Sequence, residues 1–126
     1  MQISFDGKAK VTAEFGSFSV KTDQPVEDGG ENTHPSPFDL FLVSLGTCAG
    51  IYVQRFCDER NIDYTHISLN LSNEEDEISG MLKKILVKID LPEDFPDKYK
   101  NAVVKAAGLC TVKKQLLNPP EIKITT

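Results

Sequence analysis

From Leu40 to Val53 the chain runs fourteen residues almost without a polar side chain, broken only by Ser44, Thr47 and Cys48. The stretch is shorter than the ~20 apolar residues of a membrane span. Its start carries helix signals: Ser36 is a good N-cap, Pro37 suits the first helical position, and Asp39 lies three residues past the cap. The segment from Phe38 to about Asn61 therefore reads as one helix of some 25 residues, roughly 37 Å long. Its first half, FDLFLVSLGTCAGIYV, is apolar nearly all round, whereas QRFCDERN is polar. A helix without a polar face must be buried on most sides. One chain of 126 residues offers a modest sheet to wrap it. A second copy related by two-fold symmetry is the economical cover, so an obligate homodimer is expected.

Strands surround this helix in the sequence. Met1–Phe5 alternates, Asp6-Gly7 marks a hairpin turn, and Lys8–Phe15 alternates again before Gly16-Ser17 and a third run, Phe18–Thr22. A polar loop, Asp23–Pro35, leads to the helix. After it come strands over Thr65–Leu71 and Met81–Leu91, joined by an EEDE turn. A helix is expected over Lys98–Ala107 and a short one over Val112–Leu117, capped by Thr111. EIKIT reads as a final strand. The order βββ-α-ββ-αα-β is that of a single α+β domain, residues 1–126.

Composition narrows the partners. Net charge is −5 and the fourteen lysines and arginines are scattered, which argues against nucleic acid or an anionic membrane. MQISFDGKAK has no apolar signal-peptide core, so a cytoplasmic location is expected. Three widely spaced cysteines, Cys48, Cys57 and Cys110, do not form a secreted disulfide framework. With no CxxC pair and only His34 and His66, neither a metal site nor a cofactor is expected.

The cysteines are then either small core residues or redox-active. Cys48 sits in Leu45-Gly46-Thr47-Cys48-Ala49-Gly50, where two helix-interior glycines point to something passing close to the backbone. Ser44, Tyr52 and Arg55 share its side of the helix, and the last two are placed to lower a thiol pKa. Tight helix packing around an inert cysteine fits the same glycines. Cys110 precedes the short helix, whose positive end favours a thiolate there; a loop hydrophobe is the alternative. Cys57 falls on the opposite side from Cys48 and reads as packing. Asp39 is first a capping acid, His34 a loop residue, His66 a half-exposed strand residue and EEDE a solvated turn.

Four motifs together, Gly29-Gly30-Glu31-Asn32, Pro35-Ser36-Pro37-Phe38-Asp39-Leu40, Leu45-Gly46-Thr47-Cys48 and Leu109-Cys110-Thr111-Val112, resemble the OsmC/Ohr family of osmotically induced and organic hydroperoxide resistance proteins. The resemblance implies a two-layer α+β fold with antiparallel sheets around a long central cysteine helix, in an intertwined homodimer. It also implies thiol peroxidase chemistry: Cys48 attacks a hydroperoxide and becomes a sulfenic acid, Cys110 resolves it to a disulfide, and a dithiol reductant restores the pair. Phe38, Asp39, Phe41 and Tyr52 would form the binding surface for a small hydrophobic peroxide. Peroxidases of this family carry a glutamate directly after the proline and an arginine in the N-terminal strands. Here Phe38 and then Asp39 follow Pro37, and the first third holds only Lys8, Lys10 and Lys21 as cations. The chain thus looks like the OsmC-like branch. Two other functions fit the residues: a dimeric module binding a small hydrophobic ligand without turnover, and a cysteine hydrolase pairing Cys48 with His34.

Overall fold

The computed structural model describes all 126 residues. In order they form β1 (Gln2–Gly7), β2 (Lys10–Phe15), β3 (Phe18–Thr22), a 3-10 turn at Val26–Asp28, α1 (Pro37–Asp58), β4 (Ser68–Glu75), β5 (Leu82–Asp90), α2 (Asp97–Ala107) and α3 (Thr111–Leu117). They make two compact units, Met1–Val43 and Ser44–Thr126, divided within α1.

The first unit is an antiparallel meander, β1-β2-β3, followed by the loop that launches α1. The register pairs Ile3 with Ala13 and Ala13 with Val20, and Phe15 with Phe18. Directly opposed residues share a face, so Ile3, Phe5, Val11, Ala13, Phe15, Phe18 and Val20 form one apolar surface. Much of it meets solvent: Phe5 is 86% and Phe18 66% exposed. The loop is organised by Asp23, which is fully buried. Its carboxylate accepts from the N–H groups of Gln24 (2.8 Å), Glu31 (3.3 Å) and Thr33 (2.9 Å) and from the Thr33 hydroxyl (2.7 Å). These donors, the Thr33 N–H foremost, outweigh burial and hold the carboxyl well below its usual range. The stabilisation is therefore present above the ordinary carboxyl pKa and is lost in strong acid. Gly30 is required here, because a Cβ would stand 1.9 Å from the Gln24 carbonyl oxygen. Lys8 (2.8 Å) and Lys10 both pair with Glu31.

The helix begins with a reciprocal cap: Ser36 N–H donates to Asp39 Oδ2 (2.8 Å) and Asp39 N–H donates to Ser36 Oγ (3.1 Å). It runs 22 residues rather than reaching Asn61. Asn61 adopts φ 52°, and Ile62 N–H turns back onto the Cys57 carbonyl (3.0 Å). By length and composition α1 would suffice to cross a membrane, with mean hydropathy 1.4. One row of it, Leu45, Ala49, Val53, Phe56 and Cys57, is instead buried in the protein core.

The second unit holds that core. The buried row of α1 clusters with Phe95, Val103 and Ala107 of the α2 region and with Cys110. Leu69 and Leu71 of β4 and Ile85, Val87 and Ile89 of β5 pack against them. Arg60 lies over the Phe56 ring, 3.9 Å from its centroid, and Tyr99 meets Phe56 edge-on at 5.9 Å.

The first half of α1 is apolar beyond what its own chain covers: Phe38, Val43 and Ile51 are each about half exposed. Three expectations are corrected. Only the second half of EEDE turns: Glu74 and Glu75 still belong to β4, and the reversal starts at Asp76, whose side chain accepts from Ser79 N–H (2.9 Å). β4 starts at Ser68 rather than Thr65, which is tied into a turn by Asp63 (2.9 Å). EIKIT forms no strand, since a strand needs a ladder partner and the segment has none, leaving Ile122 and Ile124 81% and 95% exposed.

The core makes a local prediction. Val103 is fully buried, whereas Val104 is 56% exposed. Val103→Ala should cost about 2 kcal/mol, the loss of two buried methyl groups plus a small cavity. Val104→Ala should stay within about 0.5 kcal/mol. Urea midpoints of the two variants measure the contrast.

Candidate functional site

Cys48 lies on the flank of the buried row of α1, three residues after Leu45 and four before Tyr52, and is partly exposed. Cys110 is 1% exposed and occupies the N-cap of α3, where its extended backbone (φ −44°, ψ 127°) turns the chain into the helix. Its sulfur accepts the Lys113 N–H (3.5 Å), and its thiol donates to the Leu45 carbonyl (3.9 Å). The cap is thus a cysteine, not Thr111, which is the first helical residue. A cysteine at this position ties the start of α3 to α1. Tyr52 adds a second tie, its hydroxyl 3.1 Å from Thr111 Oγ1.

That docking brings the first-turn amides of α3 onto Cys48. The Val112 N–H is the largest influence on its thiol, followed after burial by the Cys110 thiol and the Thr111 N–H. Together they lower its pKa below the ordinary 9.0. These amides are among the four N–H groups that a helix leaves without intrahelical partners, so they are free to serve a thiolate. Cys110 moves the other way. Burial raises it first, and the adjoining Cys48 adds to the rise against the Lys113 N–H. The two sulfurs are hydrogen-bonding neighbours with opposite leanings, one toward thiolate and one toward thiol.

This reverses two expectations. The positive end of α3 favours charge on Cys48 rather than on Cys110, because the cap sulfur is sealed from water while the partly exposed Cys48 receives the amides. Neither Tyr52 nor Arg55 is among the groups lowering the Cys48 pKa; Tyr52 orients Thr111 instead. The glycines also differ from expectation. A Cβ on Gly46 would meet Leu71 at an ordinary 3.6 Å, and one on Gly50 would meet nothing within 4 Å. Cys57 is fully buried, and burial, then Asp58, raises its pKa.

The remaining residues singled out from the sequence have local roles. Asp39 is engaged by Ser36, whose hydroxyl and N–H hold its pKa down. Phe38 and Phe41 stack on the first turn of α1 with centroids 5.6 Å apart. His34 shares a hydrogen bond with the Thr33 hydroxyl (3.0 Å). His66 is exposed in the turn before β4 rather than on a strand. No three His, Cys, Asp or Glu side chains converge as a metal site would require. A cleft of about 450 Å³ opens beside Cys110. The residues the sequence did not single out are Val112 as a donor and Leu45 as an acceptor. Both act through backbone atoms, so residue type carried no signal.

Residues 29–125 match the family model described as OsmC-like protein. The chain belongs to the OsmC-like family. Solved structures agree on its fold: small antiparallel sheets with three helices in an α+β arrangement. A Psychrobacter arcticus 273-4 protein described as osmotic stress induced and a detoxification response protein is 20% identical, with TM-score 0.78 over 90% of this chain and 85% of its own. The OsmC like protein of Mycoplasma pneumoniae is 13% identical, with TM-score 0.74 over 94% and 86%. The organic hydroperoxide resistance protein OhrB of Bacillus subtilis is 24% identical, with TM-score 0.57 over 97% and 93%. No curated protein matches significantly.

The site makes a pH prediction. Alkylation of Cys48 by iodoacetamide should titrate with a midpoint below 9.0, while Cys110 and Cys57 stay protonated and unreactive there. Thr111→Pro removes one donor at the position where a helix best tolerates proline, and the extended Cys110 backbone accepts it. The variant should shift the Cys48 midpoint upward. Tyr52→Phe, which removes only the Thr111 contact, separates loss of the amide from loss of docking.

Proposed function

We propose that this OsmC-like protein reduces organic hydroperoxides, with Cys48 as the attacking thiol and Cys110 as the resolving one. The observation that carries this reading is the placement of Cys48 against the Val112 and Thr111 amides with Cys110 beside it. The Cys48 thiolate attacks the terminal peroxide oxygen, the O–O bond breaks, and the alkoxide leaves as the alcohol after taking a proton from water. Cys48 is then a sulfenic acid. The Cys110 sulfur attacks that sulfur, hydroxide leaves as water with the Cys110 proton, and a disulfide forms. A dithiol returns both cysteines to thiols and is itself oxidised to a disulfide. Backbone amides supply the stabilisation that the family's peroxidases draw from a glutamate–arginine pair, for Lys8 and Lys10 are engaged with Glu31. Apolar neighbours such as Leu45 and Val112 favour an alkyl over a hydrogen peroxide. A reducing, cytoplasmic compartment suits three unpaired cysteines.

The test is stopped-flow consumption of cumene hydroperoxide by reduced protein. The wild type should consume one equivalent rapidly and yield a Cys48–Cys110 disulfide. Cys48→Ser should fall to the background of an ordinary thiol, at least 100-fold slower. Cys110→Ser should keep the first turnover and accumulate a sulfenic acid trapped by dimedone. Wild-type consumption no faster than a free thiol would overturn the assignment.

The working unit is proposed to be a homodimer. Support comes from apolar surface left open on one chain: the sheet face around Phe5 and Phe18, and the half-exposed Ile51 on the side of α1 away from its buried row. Gly50 gives the check. On an isolated helix Gly50→Ala should stabilise by about 1 kcal/mol. With a partner helix packed on the open space at Gly50, the added methyl should instead weaken association, seen by sedimentation as a several-fold higher dissociation constant.

A further inference from the structure

The cleft beside Cys110 differs in character from the thiol pair. Its floor is apolar, built from Leu45 and Ala49 of α1, Ile85 and Val87 of β5, and Leu116 and Leu117 of α3. Its volume of about 450 Å³ falls in the range of small-molecule sites. Every charged residue that lines it is a lysine: Lys83, Lys84 and Lys113. This segregation is notable in a chain with 19 acidic residues against 14 basic ones. Lys84 is neutralised by Glu74 (2.8 Å), whereas Lys83 and Lys113 have no acidic partner. Lys83 stands in the same alternating row of β5 as Ile85 and Val87, so the strand presents a cation followed by an apolar track. The Lys113 ammonium lies over Gly108, whose added Cβ would stand 3.7 Å from Nζ.

An apolar trough with two unpaired cations and no anion is complementary to a molecule with one negative end and an aliphatic body. We propose that this cleft binds a single-chain aliphatic carboxylate, its head between Lys83 and Lys113 and its tail along β5 and α3 toward Cys110. The trough is a half-open cleft lined by residues of three helices and a strand, which suits one free chain rather than a bilayer surface. A ligand seated there reaches Cys110, which lines the cleft, whereas Cys48, Thr111 and Val112 do not. The proposal goes beyond the peroxide chemistry and does not depend on it.

Isothermal titration with dodecanoate tests it, using both wild-type protein and Cys48→Ser, so that a failed peroxidase assignment leaves the result readable. Saturable one-site binding is expected in both proteins, strengthening roughly four-fold per methylene from hexanoate to dodecanoate. Lys83→Glu and Lys113→Glu should each weaken dodecanoate by about five-fold or more and leave dodecanol unchanged. Val104→Trp, a substitution at a half-exposed lining position, should block both ligands. Circular dichroism confirms that each variant is folded. Equal affinity for dodecanol and dodecanoate, indifference to both charge reversals, or no saturable binding would overturn the proposal. So would binding only to phosphatidylglycerol vesicles, or a sedimenting dimer that binds dodecanoate only when dissociated, which would mean that a second copy fills the cleft.

Discussion

The packing of one row of α1, Leu45–Ala49–Val53–Phe56, against Phe95, Val103, Ala107 and Cys110 is the contact on which the site depends. It fixes where α3 begins, and hence where two unused backbone amides point. Cys110 belongs to both sides of this arrangement. Its sulfur is a core atom, a helix cap and the hydrogen-bonding neighbour of Cys48 at once. Changing it would alter packing and chemistry together.

The opposite leanings of the two thiols follow from one geometry. Burial disfavours a thiolate at both, and α3 amides reach both sulfurs; at the partly exposed Cys48 the Val112 N–H outweighs burial, whereas at the fully buried Cys110 burial outweighs the Lys113 N–H. An asymmetry of this kind needs no cationic side chain. It also gives Lys8, Lys10 and Glu31 a different task, bracing the loop that Asp23 organises from within. Two of the three N-terminal lysines are thus engaged in the first unit's own architecture.

Much of this was legible from residue order. The helix start at Ser36-Pro37, the hairpin turns, the alternation of β5 and the Cys48/Cys110 motifs each carry a local signal that tertiary packing did not override. The failures share a cause. EIKIT alternates like a strand, but alternation does not supply a neighbour to hydrogen-bond with. Gly46 and Gly50 look like a close-approach motif, yet what approaches is not written in their own segment.

By itself the sequence located most of the elements, the family and the motifs that carry Cys48 and Cys110, because capping, periodicity and motif spacing are properties of short stretches. The tertiary structure alone decided which cysteine is favoured as thiolate, which group caps α3, and that Tyr52 serves Thr111. Those outcomes depend on contacts between segments about sixty residues apart, and the N–H and C=O groups among them are the same whatever side chain they carry.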